Sequence, residues 1–330
     1  MLGGTDFAGR AVVEAAVGRG WEVTIFHRGR REPPAGVRSL LGDRTAPDGL
    51  AALADASTEG EWDVVVDTWS AAPRAVRDTA RLLAGRAGRY VYVSSCSVYA
   101  WAPPAGYAED APLVAGASED AEQTDYARDK LGGELAAVSA FGAERSVLVR
   151  SGLILGPYEN IGRLPWWLTR LARGGPVPAP GPRSLPLQYV DVRDLADWIL
   201  GAAERQASGA YNLMSPQGHT TMGELLDACV QVTGARAELR WTEPSVILGA
   251  GIQPWTQLPV WVPAGSDMHD ALHGADVSRA VAAGLLCRPV SETVADTWAW
   301  LRSIGGVAPQ RPGRPPVGLP PDLEAKLLAL

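Results

Sequence analysis

Three side chains in this sequence have the chemistry to move a proton alongside a hydride. Tyr126-Ala-Arg-Asp-Lys130 sets a phenol and an ammonium at i and i+4, which on a helix is one face. A phenol, with a reference pKa of about 10, is a poor acid–base group at neutral pH. An ammonium one turn away stabilises the phenolate and brings it into a useful range, so that Tyr126 can give or take a proton at a carbonyl or alcohol. Ser95 ends the apolar, β-branched run Tyr90-Val-Tyr-Val-Ser-Ser95 and can donate to a developing alkoxide. Lys130 is also placed to hold the ribose of a nicotinamide. The third requirement is a cradle for the dinucleotide, and Leu2-Gly-Gly-Thr-Asp-Phe-Ala-Gly-Arg10 supplies a glycine-rich turn leading into a helix.

The elements that must position these groups alternate. Strand patterns run over Trp21 to Phe26, Trp62 to Asp67, Tyr90 to Ser94 and Ser146 to Arg150. Helical patterns lie between them at Gly9 to Gly18, Ala72 to Ala84 and Tyr126 to Ala140. Such alternation predicts an α/β fold with a doubly wound parallel sheet. After Gly156-Pro157 the texture changes. Gly174 to Pro182 reads as a proline-rich loop, and Leu187 to Val190 with Asp191 to Ala203 reads as a further strand and helix returning to the sheet. Thr221 to Thr233, Asp276 to Ala283 and Ser291 to Ser303 read as helices of a smaller second domain. The expected division is 1–155 with 187–214 for the nucleotide, and 156–186 with 215–304 for the substrate. A Pro- and Gly-rich tail over 305–330 ends in a short helix from Asp322. No internal repeat is visible. Only Met1 and Leu2 precede the glycine turn, where a central strand of about five residues is usual. Either the natural start lies upstream or the strand is stunted; the first is the expectation, with a cost in stability and not in fold.

Gly3, Gly4 and Gly9 permit a tight turn with pyrophosphate at a helix N-terminus, and Thr5, Asp6 and Phe7 complete the contact. The end of the second strand chooses the cofactor: an acid there binds ribose hydroxyls, whereas arginine accepts the extra phosphate. His27-Arg28-Gly29-Arg30-Arg31 holds no acid, so NADP(H) is expected, with Arg28 on the phosphate and NAD(H) as the alternative. Asp6 counts toward the alternative. Asp43 is a candidate adenine or ribose contact, with Arg44 and Thr68 beside the cofactor.

Gly3 to Gly9, Val93-Ser-Ser-Cys-Ser-Val-Tyr99, Tyr126 to Lys130 and Arg150-Ser-Gly-Leu-Ile-Leu-Gly-Pro157 together resemble the extended short-chain dehydrogenase/reductase family, often labelled NAD-dependent epimerase/dehydratase. The resemblance extends through Val190-Asp-Val-Arg-Asp-Leu-Ala196. It implies a Rossmann domain followed by a smaller α/β substrate domain. It also implies Ser95, Tyr126 and Lys130 as the catalytic set, with Ser151 to Leu153 touching the nicotinamide end. Two departures stand out: Asp6 occupies the place of the family's middle glycine, and Ser151 that of a proline common after the strand-end arginine.

Cys96, Ser97, Trp101, Arg163 and Trp166 are candidate substrate contacts, with Trp167 beside them as core or pocket wall and Arg163 as a grip for an anion. His269 and His273, near Asp267, Asp270 and Asp276, have metal-like spacing but read as a solvated loop or substrate lid; no metal is expected. Cys96-Ser97 offers no carboxylate for a dehydratase. The leading expectation is therefore NADPH-dependent reduction of a ketone on a small to medium-sized metabolite. A sugar-nucleotide epimerase with bound NAD is the alternative, and a non-catalytic dinucleotide-binding regulator the third reading. A net charge of −7 argues against nucleic acid as partner. Three scattered cysteines and the lack of a long apolar run suit a cytoplasmic protein that neither forms disulfides nor enters a membrane. A homodimer through the helices flanking the sheet is a further expectation from the resemblance.

Overall fold

In this computed structural model, which describes residues 1–121, 125–311, 313 and 315–329, a single residue holds the middle of the sheet. Leu2 bridges in parallel to Phe26 on one side and to Asp67 on the other. Its N–H donates to Val66 O at 2.8 Å, and Gly3 N–H donates to Phe26 O at 2.9 Å. An apolar notch opens beside this short strand, lined by Met1, Leu2, Thr24, Phe26, Trp62 and Val64.

In chain order the elements are α1 (Phe7–Gly18), β1 (Thr24–His27), β2 (Arg38–Leu41), α2 (Ala51–Glu59), β3 (Trp62–Asp67), α3 (Arg74–Leu83), β4 (Ala87–Ser95), α4 (Tyr126–Phe141) and β5 (Ser146–Ser151). They continue with β6 (Ile154–Leu155), α5 (Arg163–Ala172), β7 (Gly175–Pro180), β8 (Pro186–Leu187), β9 (Val190–Asp191), α6 (Val192–Glu204) and β10 (Gly209–Leu213). Then follow β11 (Thr220–Thr221), α7 (Met222–Thr233), β12 (Ala237–Thr242), α8 (Pro244–Gly249), β13 (Pro254–Trp255), β14 (Leu258–Pro259), α9 (Asp267–His273), α10 (Ser278–Ala282), α11 (Val290–Ser303) and α12 (Pro321–Leu328).

The first compact unit comprises Met1–Gly152, Val192–Met214 and Asp276–Leu286. Its sheet runs β2-β1-Leu2-β3-β4-β5-β10, every neighbour parallel. Strand order reverses at Leu2, the topological switch point, and the glycine turn therefore lies where ligands bind in such sheets. Leu2, Phe26, Val65, Tyr90, Tyr92, Ala136 and Phe141 belong to one buried cluster of this unit. Near-continuous apolar strands such as Val64-Val-Val66 fit a sheet covered on both faces.

The second unit comprises Leu153–Asp191, Ser215–Ala275 and Cys287–Leu330. Its core is built around Trp167 and Trp261, whose indole N–H groups donate to Pro259 O (2.8 Å) and Gly181 O (3.0 Å). The division differs from the expected one in four places, the first being that residues 153–155 fall in the second unit. Residues 187–191 belong here because β8 and β9 pair with β11 and β6, not with the main sheet. Residues 276–286 belong to the first unit, where Trp198 Nε1 donates to Ala280 O. The terminal segment is no separate tail: Leu319 and Leu327 join the second core, and Glu324 grips Arg170 at 2.5–2.9 Å. Pro312, Arg314 and Leu330 of that expected segment lie outside the described residues.

The proline-rich stretch is also not a loop. Pro176, Pro178 and Pro180 alternate along β7, which pairs in parallel with β12. Gly175 N–H and Gly181 N–H donate to Arg236 O and Thr242 O at 2.9 Å, so the odd positions face the partner. The prolines put their missing donors on the other side, where no ladder needs them.

Candidate active site

Asp125 sets the start of α4. Its backbone is extended and its carboxylate accepts from Arg128 N–H at 2.9 Å, a helix N-cap. Tyr126 is thereby the first helical residue, and it is 42% exposed. One turn on, Lys130 is buried. Its ammonium donates to Val93 O at 2.5 Å and Trp69 O at 2.6 Å. The first bond ties α4 to β4 two residues before Ser95, so the expected catalytic residues share one strand end and one helix start. Burial lowers the Lys130 ammonium to about 7, against the opposing pull of Asp67 and Glu134. Ser95 caps the 3-10 turn Cys96–Val98; its oxygen accepts from Ser97 N–H and its hydroxyl donates to Ser97 Oγ, both at 3.1 Å.

The cofactor candidates divide. Gly3 and Gly4 have φ of 96° and 99°, in the left-handed region that glycine tolerates. A Cβ on Gly9 would lie 2.9 Å from Gly4 N, so only glycine lets the turn close against α1. Asp6 makes no side-chain cap at the N-terminus of α1 and pairs with Arg31 at 3.5 Å. Thr5 and Phe7 lie in this turn, and Thr68 Oγ1 donates to Leu2 O at 3.3 Å beside it. Ser151 stands opposite Ser95 in the parallel register. Its hydroxyl and that of Ser94 are buried with no hydrogen-bond partner among the described residues. An open glycine cradle, a helix N-terminus without a side-chain cap and two orphaned hydroxyls at strand ends fit a dinucleotide. Leu153 is buried in the core of the second unit.

Other candidates are spent on structure. Arg44 is buried and uses four of its five N–H groups internally: two on Asp67, both at 2.7 Å, one on Thr79 and one on Ala75 O. Burial pushes the Asp67 carboxyl up, but Arg44 and the Tyr90 hydroxyl hold it below the usual range. Arg44 thus braces a loop against the end of β3. His27 is buried with both ring nitrogens engaged, accepting from Gly29 N–H and meeting Ser39 Oγ at 2.6 Å. It shapes the basic loop from inside. Arg28 stays exposed. Asp43 accepts twice from Thr45, which holds its carboxyl below the ordinary range with help from burial-opposing Arg28 and Arg30.

Among the substrate candidates, the Cys96 thiol turns inward to Arg150 O at 3.1 Å, and burial pushes it up to about 12. It is a packed, inert thiol. Ser97 and Trp101 are exposed, Trp101 by 70%. In the second unit the Arg163 guanidinium lies over the Trp255 ring at 4.8 Å, and Trp166 packs edge-on against Trp167. His269 and His273 are not in a solvated loop: both are buried on α9, and His273 Nδ1 accepts from Gln188 N–H at 3.0 Å. Among the described residues no cluster of His, Cys, Asp or Glu is arranged to hold a metal, and no helix is long and apolar enough to cross a membrane.

A buried network behind Ser95 was missed from the sequence. Arg150 at the end of β5 makes a two-pronged pair with Glu134 of α4, at 3.0 and 2.8 Å, and donates to Tyr99 Oη and Glu109 O. Tyr99 in turn donates to Asn212 Oδ1 at 2.5 Å. The available signals were a charged residue closing an apolar strand and a carboxylate one turn beyond Lys130.

A sequence profile of the NAD dependent epimerase/dehydratase family matches residues 1–213. No curated protein matches the chain. Among solved structures, the chain is similar to the Bordetella bronchiseptica enzyme WbmH in complex with NAD+, at 19% identity, covering 92% of this chain and 98% of that one, with a TM-score of 0.66. It is also similar to WbmG of the same organism in complex with NAD and UDP (16%, 96% and 97%, TM-score 0.63). UDP-glucuronic acid 4-epimerase from Bacillus cereus in complex with NAD is a third (14%, 92% and 98%, TM-score 0.61). At these identities the likeness carries the fold.

Proposed function

The chain belongs to the NAD dependent epimerase/dehydratase family, and we propose that it is a nicotinamide-dinucleotide enzyme that inverts a carbon bearing a secondary hydroxyl, by oxidation to the ketone and re-reduction. The observation that carries this reading is the seating of Lys130 on Val93 O, which sets the Tyr126 helix against the strand ending in Ser95. The NAD-bound relatives favour a redox-neutral reaction over net reduction.

The glycine turn from Gly3 to Gly9 and the first amides of α1 would hold the pyrophosphate, with the Ser151 hydroxyl near the reactive end. A nicotinamide bound there would supply the hydride acceptor for the oxidation and the hydride donor for the re-reduction. Tyr126 takes the hydroxyl proton at its phenol oxygen during oxidation and returns it during reduction, a contribution of about 10²–10⁴ in rate. Lys130 favours the phenolate while charged. Ser95 turns its hydroxyl from Ser97 to the carbonyl oxygen and stabilises the alkoxide. The inward-turned thiol of Cys96 and the hydroxyl of Ser97 give no carboxylate pair for dehydration.

A second reading, NADPH-dependent reduction of a metabolite ketone, is favoured by one feature. Arg28, Arg30 and Arg31 follow β1 with no acid at its end, a set suited to the phosphate of NADP(H). Nucleotide released from purified protein, followed by NADPH oxidation against a panel of carbonyl metabolites, separates the two. Retained NAD without net oxidation supports epimerisation. Stoichiometric NADPH consumption replaces it with reduction.

A further inference from the structure

Lys130 has more holding it than two carbonyls. Its ammonium also lies 3.5 Å from the Tyr92 hydroxyl and 4.6 Å from the centroid of the Tyr92 ring. Tyr92 itself donates to Trp69 O at 3.0 Å, the same carbonyl that accepts from Lys130. The phenol is wholly buried, and α4 rests directly upon it: a Cβ on Gly133 would lie 2.4 Å from the Tyr92 hydroxyl and 2.6 Å from ring carbon Cζ. Glycine disfavours a helix interior, so its presence here answers to the close approach. Tyr126 lies one turn before Lys130 on the same helix.

We infer that Tyr92 is a positioning residue for Lys130: its hydroxyl and ring, with Gly133 against them, seat the ammonium at a fixed place one turn along α4 from Tyr126. The inference rests on the role proposed for Lys130, but its test needs no turnover. The charged and titratable groups around the seat are Asp67 at the end of β3, Glu134 and Tyr126 on α4, and Arg44 beside Asp67. The first two draw a proton onto Lys130, against its burial.

The chain holds only two lysines, Lys130 and Lys326, and Lys326 is exposed. Protein carrying ¹³Cε-lysine therefore gives two resonances to titrate from about pH 5 to 11, one an internal control. Removing the hydroxyl with Tyr92→Phe takes a polar neighbour from the charged form. The Lys130 midpoint should fall by at least about half a unit while Lys326 stays fixed. Gly133→Ala, which drives a methyl against the phenol, should also move the Lys130 midpoint. A purely structural Tyr92 would lower the melting temperature and leave the Lys130 midpoint in place in both variants, and that result overturns the inference. NAD+ affinity, measured calorimetrically on the unaltered chain, separately tests the enzyme reading: absence of binding would remove that reading without touching the titration.

Discussion

Breaking the Glu134–Arg150 pair is the sharpest test of how the site is held. Both side chains are nearly inaccessible, 3% and 5% exposed, and two charge-assisted bonds join them. Among the described residues, Glu134→Ala leaves the Arg150 guanidinium with Tyr99 Oη and Glu109 O as acceptors. An uncompensated buried charge costs about 3–5 kcal/mol, a large share of the ~5–15 kcal/mol by which domains are stable. Replacing both partners, Glu134→Leu with Arg150→Met, removes the stranded charge and should recover most of that loss. The measurement is urea unfolding followed by hydrogen exchange at β4 and β5 amides, which isolates the first unit from the second. A single substitution costing under ~1 kcal/mol, or a double variant no more stable than the single, would refute the idea that a desolvated ion pair clamps α4 to β5.

Three other outcomes are expected. Gly9→Ala, which puts a methyl 2.9 Å from Gly4 N, should weaken NAD+ binding by at least about tenfold in calorimetry while circular dichroism stays unchanged. Arg28→Asp should weaken NADPH selectively; equal losses for NADPH and NADH would mean that Arg28 does not read the phosphate. Burial raises Glu159 to about 7 although it accepts from Arg163 and Leu164 N–H. For an acid raised in the folded state, the stabilising contribution is full below its unfolded value of about 4.5 and lost as pH climbs through about 7. That loss is on the order of 3 kcal/mol, so Glu159→Gln should flatten the decline in melting temperature between those two pH values, and an unchanged slope would count against it.

The sheet was legible because its strands carry their own pattern. Trp62 to Asp67 has the same bounds in sequence and structure, and Tyr126 to Ala140 differs from α4 by one residue. Periodicity and β-branched runs report such elements locally. What stayed hidden depends on partners remote in the chain. Arg44 reads as a residue beside the cofactor, and only the fold shows its pairing with Asp67, 23 residues on. β7 reads as a loop because proline is judged by its missing donor, and only the pairing with β12 shows which side that donor would face. Cys96 follows Ser95 and looks substrate-facing, yet the 3-10 turn sends its thiol to Arg150 O. The candidate triad stands out in the sequence by its spacing alone; the packing of Tyr92, Glu134 and Arg150 around α4 does not, since burial decides it.

A crystal structure of the complex with NAD+ tests the central claim most directly. The nicotinamide C4 should lie beside both Ser95 Oγ and Tyr126 Oη, with room for a substrate carbon at about 3–3.5 Å, and the pyrophosphate against Gly3 to Gly9. A nucleotide bound away from the glycine turn, or a phenol directed away from the ring, would contradict it.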